Sequence, residues 1–573
     1  MRHQMINNEM EGLQMTKKAE LVFKNGFIYT ADKSRSTAEA VAIADGKFIF
    51  IGSNADVEAY VDGNTEVVDL KGQMVMPSFF EGHAHVSKSV VNHFGCNLFG
   101  LNTVEDYIAA LKDFLKAHPD FPAIRGNGWL EAVFPGSGPK KEDLDKVSTE
   151  IPIVCTSETL HSVWANSKTL EMAGITKDTP DPVDGIIHRN EDGSPSGCLR
   201  ESAQDLVFNV LPDFTVEQYK VGILAYQELA HKYGFTGVYD PWLDHNSNAI
   251  EAFKELEKGN KLTMRYRGAY WVNPQRGLDQ VEELGVCRAN DGKGELFKIN
   301  GVKFFIDGIM EGTTAYVLKP YVKAEGHDAG YRGEPIWKAE PLNTMLTALD
   351  KEGFQLHAHA MGDAAVRAAL DAIEFTQKQN GKRDARHGIT HAGLIDPNDI
   401  PRFKELGVVA MLNTYWAQID DLYFMNGSFL GMDQAERFYP VNSLFKAGAL
   451  VASASDYPIT GIPNPFIGIE IGVTRTAPDN YHPWITDYSD PVFHKAHWPE
   501  ERANLADMID AFTINQARAY FLEGESGSIE VGKSADMIIV DKNITAIPAE
   551  DIGTATVQKT LFKGKKVYDC CDC

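Results

Sequence analysis

Eight short apolar runs, with helical patterns among them, constrain this chain more than any other feature. They are Phe79–His85, Thr236–Asp240, Met264–Trp271, Asn300–Ile306, Phe354–His359, Gly388–His391, Val408–Leu412 and Leu450–Asp456. Helical periodicity marks Val216–Lys232, Met345–Lys351, Asp363–Gln379 and Asn398–Glu405. Strands alternating with helices demand a parallel sheet, and eight units predict an α/β fold, a closed (β/α)8 TIM-type barrel. An interval of about 30 residues suits one strand–helix unit. His359 to His391 fits one such unit, and His391 to Asp456 fits two, with Val408–Leu412 as the strand between.

The ends of the chain read differently. Leu21–Phe23, Phe27–Tyr29, Ala40–Ile43, Phe48–Ile51 and Glu66–Leu70 are short strands between Gly and Asp turns. The pattern resumes at Met537–Val540, Val557–Leu561 and Lys566–Tyr568. The expected organisation is one small β-sandwich from residues 19–77 and 525–569, with the barrel, 78–524, set into it. The first barrel interval is far too long, so residues 97–208 are an insertion after strand one. It carries strands at Pro122–Arg125 and Pro152–Thr156 and a Pro/Gly/Asp-rich loop over Asp178–Ser196.

Of the 573 residues, 43% are hydrophobic and 24% charged, enough apolar material for a large core. The net charge of −25 comes without a basic block, which argues against nucleic acid and anionic membranes as partners. No apolar run is long enough to span a bilayer. Met1–Glu20 is polar, lacks the apolar centre of a signal peptide and reads as a loose tail, with Met5, Met10 and Met15 as alternative starts. Of the seven cysteines, Cys96, Cys155, Cys198 and Cys287 are scattered with no paired Cys-x-x-Cys spacing; Cys570, Cys571 and Cys573 crowd the terminus, as a frayed reduced end or a metal-binding tail. The expected location is the cytoplasm, the expected partner a small-molecule substrate, with a homodimer left open.

In Met76–Val86, His83 and His85 stand one residue apart, and positions i and i+2 of an extended strand face the same side. His-x-His alone is weak, and each histidine taken singly has an ordinary core explanation. The wider arrangement is more specific. His83 and His85 end strand one, His359 strand five, His391 strand six and Asp456 strand eight, the end of a barrel where active sites form. These are first-row metal ligand types. Lys303, inside strand four, is the odd member, because burial disfavours an ammonium. It reads either as a solvated lysine at a strand edge or as a neutral amine that captures carbon dioxide. The resulting carbamate would bridge two metals.

These motifs resemble the amidohydrolase superfamily, in its YtcJ-like branch (amidohydrolase family 3). The residues that carry the resemblance are Met76-Pro77…His83-Ala84-His85, Val302-Lys303…Asp307-Gly308 and His359-Ala360-Met361-Gly362-Asp363. They continue through His391, Ser455-Asp456-Tyr457-Pro458 and Gly532-Lys533-Ser534-Ala535-Asp536, and in the insertion Trp164-Ala165-Asn166-Ser167 and Ala173-Gly174-Ile175. The resemblance runs from about Ala19 to Tyr568 and implies a metal-dependent hydrolase with a barrel and a flanking β-sandwich. Four positions depart from it: Ser78 replaces Gly, Glu81-Gly82 replaces Asp-Ser, and Thr390 stands where the branch commonly has Glu.

The expected reaction is hydrolysis of a non-peptide C–N bond in an amide, formamide or cyclic amide. His83, His85, Lys303, His359, His391 and Asp456 are the expected metal ligands, for one or two divalent ions. Zinc is expected, with two ions bridged by carbamylated Lys303 favoured. Asp456 is the expected general base and acid, with His391 next in line. His161, Trp129 and Trp416 are the expected substrate contacts; Trp164, Phe424, Phe429 and the loop Met310–Trp337 are further specificity candidates. Two rival readings stay open: a mononuclear deaminase of an amino-heterocycle, with Lys303 only structural, and a non-catalytic scaffold.

Overall fold

The strand Met74–Pro77 is where the two ends of the chain meet, pairing antiparallel with Met537–Val540. A computed structural model describes residues 17–134, 138–182, 185–324, 326–479 and 481–572. Most of the N-terminal tail and Cys573 therefore lie outside the described residues. The six-stranded sheet that contains Met74–Pro77 also takes in Phe27–Tyr29, Thr37–Ala38, Val557–Phe562 and Lys565–Asp569. A second sheet of four strands, Lys47–Gly52, Ala40–Ala44, Leu21–Lys24 and Glu66–Asp69, packs on it. Period-two alternation explains why the six-stranded sheet can be buried on both faces. Val75, Met537 and Ile539 fill the space between the two sheets with Phe23, Val41 and Phe48. Their neighbours Met74, Met76, Ile538 and Val540 pack into the main core on the barrel side.

The central sheet has eight strands in sequence order, all parallel. They are Phe79–Glu81, Phe235–Leu243, Arg265–Trp271, Phe297–Phe305, Gln355–Ala360, Gly388–His391, Val409–Leu412 and Leu450–Ser453, called strands one to eight below. All eight expected strands are present. Two stop three or four residues short at the functional end: strand one at Glu81 rather than His85, and strand eight at Ser453 rather than Asp456. Strand two runs three residues further than expected. The helix Val216–Lys232 that leads into it opens on a capping box, Thr215 with Gln218, which satisfies the orphan donors of the first turn. Strands eight and one are joined beyond their ends by Asp456 N–H to the His83 carbonyl (2.9 Å) and His85 N–H to the Tyr457 carbonyl (2.7 Å). The residues that complete the barrel at this rim are thus the candidate ligands themselves.

The insertion after strand one builds its own six-stranded sheet, of which Ile124–Trp129, Ile153–Ser157 and Ser162–Ala165 form the middle. The expected loop Asp178–Ser196 contains most of a β-hairpin instead, Gly185–Arg189 against Pro195–Glu201. Residues 183 and 184 of that stretch lie outside the description. The hairpin was hidden because its Gly, Pro and Asp content signals turns locally; what holds it is pairing with Ser162–Ala165, a contact remote in sequence.

Candidate metal centre

The rim starts from Gly82, where a side chain has no room: a Cβ there would lie 2.3 Å from Gln516 Oε1 and 2.6 Å from Met411 Sδ. The preceding Glu81 is buried, and its carboxylate accepts from the backbone N–H of His83 (3.1 Å) and Ser455 (3.0 Å). One side chain therefore clasps the segments that follow strands one and eight. Burial pushes its carboxyl up to about 7, against those hydrogen bonds.

Beyond the clasp, His83, His85 and Asp456 converge, with one potential ligand atom from each lying within 4.8 Å of the others. His83 Nε2 lies 3.4 Å and His85 Nε2 3.1 Å from Asp456 Oδ1. His83 Nε2 and Asp456 Oδ1 are buried and have no hydrogen-bond partner; on His85 the partnerless buried nitrogen is Nδ1, whereas Nε2 is the one beside Asp456. Orphaned buried polar atoms are costly, and these are lone-pair donors of the kind that bind divalent cations. Burial, reinforced by the charge of Lys303, holds the His83 pKa far below its usual value, so the ring is neutral and ligand-competent. Burial alone would raise Asp456, but contact with His85 and the adjacent His391 hold it below the usual carboxylate range. The residues present fit a divalent metal.

His391 and His359 stand beside this cluster. The ring centroid of His391 is 5.2 Å from that of His83 and 4.6 Å from that of His359. Asn413 Oδ1 lies 2.8 Å from His391 Nδ1, which makes Nδ1 the protonated nitrogen and leaves the lone pair on Nε2. His391 and Asp456 both have left-handed backbones, with φ of 68° and 60°. Such strain in non-glycine residues gathers at functional sites. Lys303 is buried, and burial brings its amine down to about 7 while Asp456 opposes the shift. The solvated-edge reading of Lys303 is excluded by that burial.

A layer beneath the candidate ligands went unrecognised in the sequence. His357 Nε2 lies 2.8 Å from His83 Nδ1, and Thr390 Oγ1 lies 3.0 Å from the same nitrogen. The signal for His357 was available: His357-x-His359 repeats the spacing of His83-x-His85 on a strand. Asp307, after strand four, accepts from the N–H groups of Tyr316, Met361 and Gly362, each at 2.9 Å. It thereby ties the loop after strand four to the one after strand five.

His85, Lys303, His359 and Asp456 open into a cavity of about 460 Å³. His161 enters it from the insertion, its ring centroid 5.6 Å from that of His359, with Nδ1 2.7 Å from Glu201 Oε2. Burial would lower the His161 pKa, but the charge of Glu201 and its hydrogen bond raise it overall. Trp416 lies parallel to the His391 ring at 5.8 Å, outside the cavity lining. Trp129 does not meet a substrate. It is fully buried in the insertion core, edge-on to Phe134, with its N–H given to the Cys155 carbonyl (2.8 Å). Trp164 is likewise core. The aromatic wall comes chiefly from Trp242, Trp271 and Phe305, together with Trp337 at the end of the expected specificity loop. Trp242, on the part of strand two beyond its expected end, lies 5.9 Å from His85 and 4.9 Å from Phe305.

At the other end of the chain, Asp569, Cys570 and Cys571 lie close together. The Asp569 carboxylate is already engaged by Lys559 and Lys566, however.

A parallel eight-stranded barrel with histidines and an aspartate gathered at its C-terminal rim defines a class, the metal-dependent hydrolases. The chain belongs to the amidohydrolase family, whose sequence profile matches residues 66–568, and within it to the YtcJ-like branch that its motifs resemble. It is 29% identical over 563 residues to Protein LONG AFTER FAR-RED 3 of Arabidopsis thaliana, covering 96% of this chain and 92% of that one. It is 25% identical over 584 residues to N-substituted formamide deformylase of Arthrobacter pascens, covering 97% and 99%. An uncharacterized metal-dependent hydrolase from Pyrococcus horikoshii shares the fold, with a TM-score of 0.70 and 24% identity over 92% of this chain and 99% of that one.

Proposed function

We propose that the protein hydrolyses a non-peptide C–N bond of a small molecule, an amide, formamide or cyclic amide. The observation that carries this reading is the set of partnerless buried atoms on His83, His85 and Asp456, of which His85 and Asp456 reach the wall of a cavity that also carries Trp242, Trp271, Phe305 and Trp337. Similarity to a formamide deformylase supports the formamide option. His83, His85 and Asp456 would hold the metal, with His359, His391 and a carbamylated Lys303 completing a two-zinc set. The metal, when bound, supplies an acidified water and polarises the substrate carbonyl. Asp456 takes the proton of the attacking water on its carboxylate and returns it to the leaving nitrogen. His391, its tautomer fixed by Asn413, stays neutral at working pH, since burial holds it down to about 4. His161 donates to the carbonyl oxygen, and the aromatic wall excludes bulk water. We place this activity in the cytoplasm, consistent with free cysteines throughout the described residues. Among those residues no helix is long and apolar enough to cross a membrane.

One observation favours a second reading. Among the described residues only three ligand atoms at the rim form the close cluster, and three suffice for one cation, as a deaminase would use. Metal analysis of the purified protein separates two ions from one. A screen of the zinc-loaded enzyme on N-formyl amines, N-acyl amines, cyclic amides and amino-heterocycles then separates the chemistries. Asp456→Asn should lower turnover by about 10²–10⁴-fold. Absence of bound metal, or a near-normal rate in that variant, refutes the proposal.

A further inference from the structure

The hairpin strand Pro195–Glu201 ends on a residue whose backbone an L-amino acid rarely adopts: Glu201 has φ 49° and ψ −133°. Conformations of this kind are strained and persist where surrounding contacts impose them. The contacts here come from two separate parts of the chain. His161 Nδ1 lies 2.7 Å from Glu201 Oε2, and Thr314 Oγ1, from the loop after strand four, donates to Oε1 at 2.8 Å. The Glu201 N–H also donates to the His161 carbonyl at 3.0 Å, so backbone and side chain hold the same partner.

This junction reaches the metal rim. A Cβ at Gly308 would lie 2.1 Å from Thr314 Oγ1 and 2.5 Å from Glu201 Oε1, so glycine is needed to let the carboxylate in. The Gly308 carbonyl is in turn 3.2 Å from His359 Nε2. Both His161 and Glu201 line the cavity, with their side chains 16% and 10% exposed. A carboxylate at Nδ1 makes that nitrogen the donor and leaves Nε2 as the nitrogen available to a ligand.

We propose that Glu201 is a positioning residue for the hydrolysis. It holds His161 in the orientation that presents Nε2 to the amide oxygen, so that the insertion delivers a Glu–His pair to the barrel rim. This rests on the hydrolase reading above. No bond is made or broken at either residue: the ring keeps both of its protons, Nδ1–H toward Glu201 and Nε2–H toward the oxygen on which charge develops. The insertion is then part of the active site, because without Glu201 the ring of His161 has no fixed direction.

The test uses Glu201→Gln, His161→Ala and the double variant in the full-length zinc-loaded protein, with para-nitroformanilide as substrate. His161→Ala should lower kcat by about 10²-fold, the scale for losing one oxyanion donor. Glu201→Gln should lower kcat by about 10-fold or more with KM and metal content little changed. The double variant should match His161→Ala, because residues acting as a unit do not add. Losses that multiply in the double variant, or a wild-type kcat in Glu201→Gln, overturn the proposal and leave the hydrolase reading standing. A second readout needs no turnover: in metal-free protein labelled with 15N-histidine, the protonated Nδ1 signal of His161 should be present in the parent and displaced in Glu201→Gln. If no protein, parent included, cleaves any amide, the hydrolase reading fails, and an unmoved signal separately overturns the pairing. If Glu201→Gln does not fold, Glu201→Asp replaces it. The shorter carboxylate should give a smaller kcat loss and a partly shifted signal, and no change in either measurement overturns the proposal.

Discussion

The histidine beneath the rim offers the sharpest quantitative check. For His83 to bind a metal through Nε2, its Nδ1 must carry the hydrogen and needs an acceptor. His357 Nε2 at 2.8 Å is that acceptor, with Thr390 Oγ1 at 3.0 Å as the alternative. Leucine at position 357 fills a similar volume but removes one acceptor. The lost hydrogen bond is worth about 0.5–1.5 kcal/mol, with Thr390 still in place. His357→Leu should therefore weaken zinc binding by about 3–10-fold, since 1.4 kcal/mol is tenfold. Adding Thr390→Val leaves the N–H buried without a partner, a penalty of about 1–3 kcal/mol, and frees the ring to adopt the other tautomer. The double variant should bind zinc about 10–100-fold more weakly than the parent, the range for partners that orient ligand histidines. Zinc affinity is measured by competition with a chromophoric chelator, and circular dichroism confirms the fold. If the double variant binds within about twofold of the parent, the hydrogen bond to His83 does not govern the site.

Two further outcomes bear on the rim and on the frame that carries it. Lys303→Ala should lower the metal count per chain, and Lys303→Arg should not restore it because guanidinium stays charged; native mass spectrometry should also find one carbon dioxide added to the parent and absent from the alanine variant. Two metals with full activity in Lys303→Ala would remove the carbamate. The other outcome concerns Asp350: burial alone would raise its carboxyl, but hydrogen bonds from His387 and Asn380 and the nearby Arg383 charge bring it down to about 2. A depressed folded pKa stabilises fully above the unfolded value of about 4 and ceases to do so as pH falls through about 2. The melting temperatures of parent and Asp350→Asn should thus differ most above pH 5 and converge toward pH 2; a gap that stays constant would exclude this carboxylate as the source.

The sequence by itself determined the barrel, because strands of a parallel sheet are buried on both faces and read as short apolar runs whatever they pair with. It also determined the candidate rim, since ligands at the ends of strands one, five, six and eight must share one face once the strands are parallel. Three things were decided only by tertiary structure. Which tryptophan faces the cavity depends on where a strand ends and on what packs behind it. Trp129, in a glycine-rich loop pattern, went into the insertion core, while Trp242 reached His85 because strand two runs on to Leu243. The hairpin ending at Glu201 depends on pairing with Ser162–Ala165, and its own residues favour turns. Thr390 reads in the sequence as a lost acid, yet in the fold it shares His83 Nδ1 with His357, a residue more than thirty positions away. Local periodicity reports burial and direction along one element. Hydrogen bonds between elements arise only when the barrel closes and brings their ends together, so the His357-x-His359 spacing was there to read in the chain, but the partners of His83 Nδ1 beneath the candidate ligands were not.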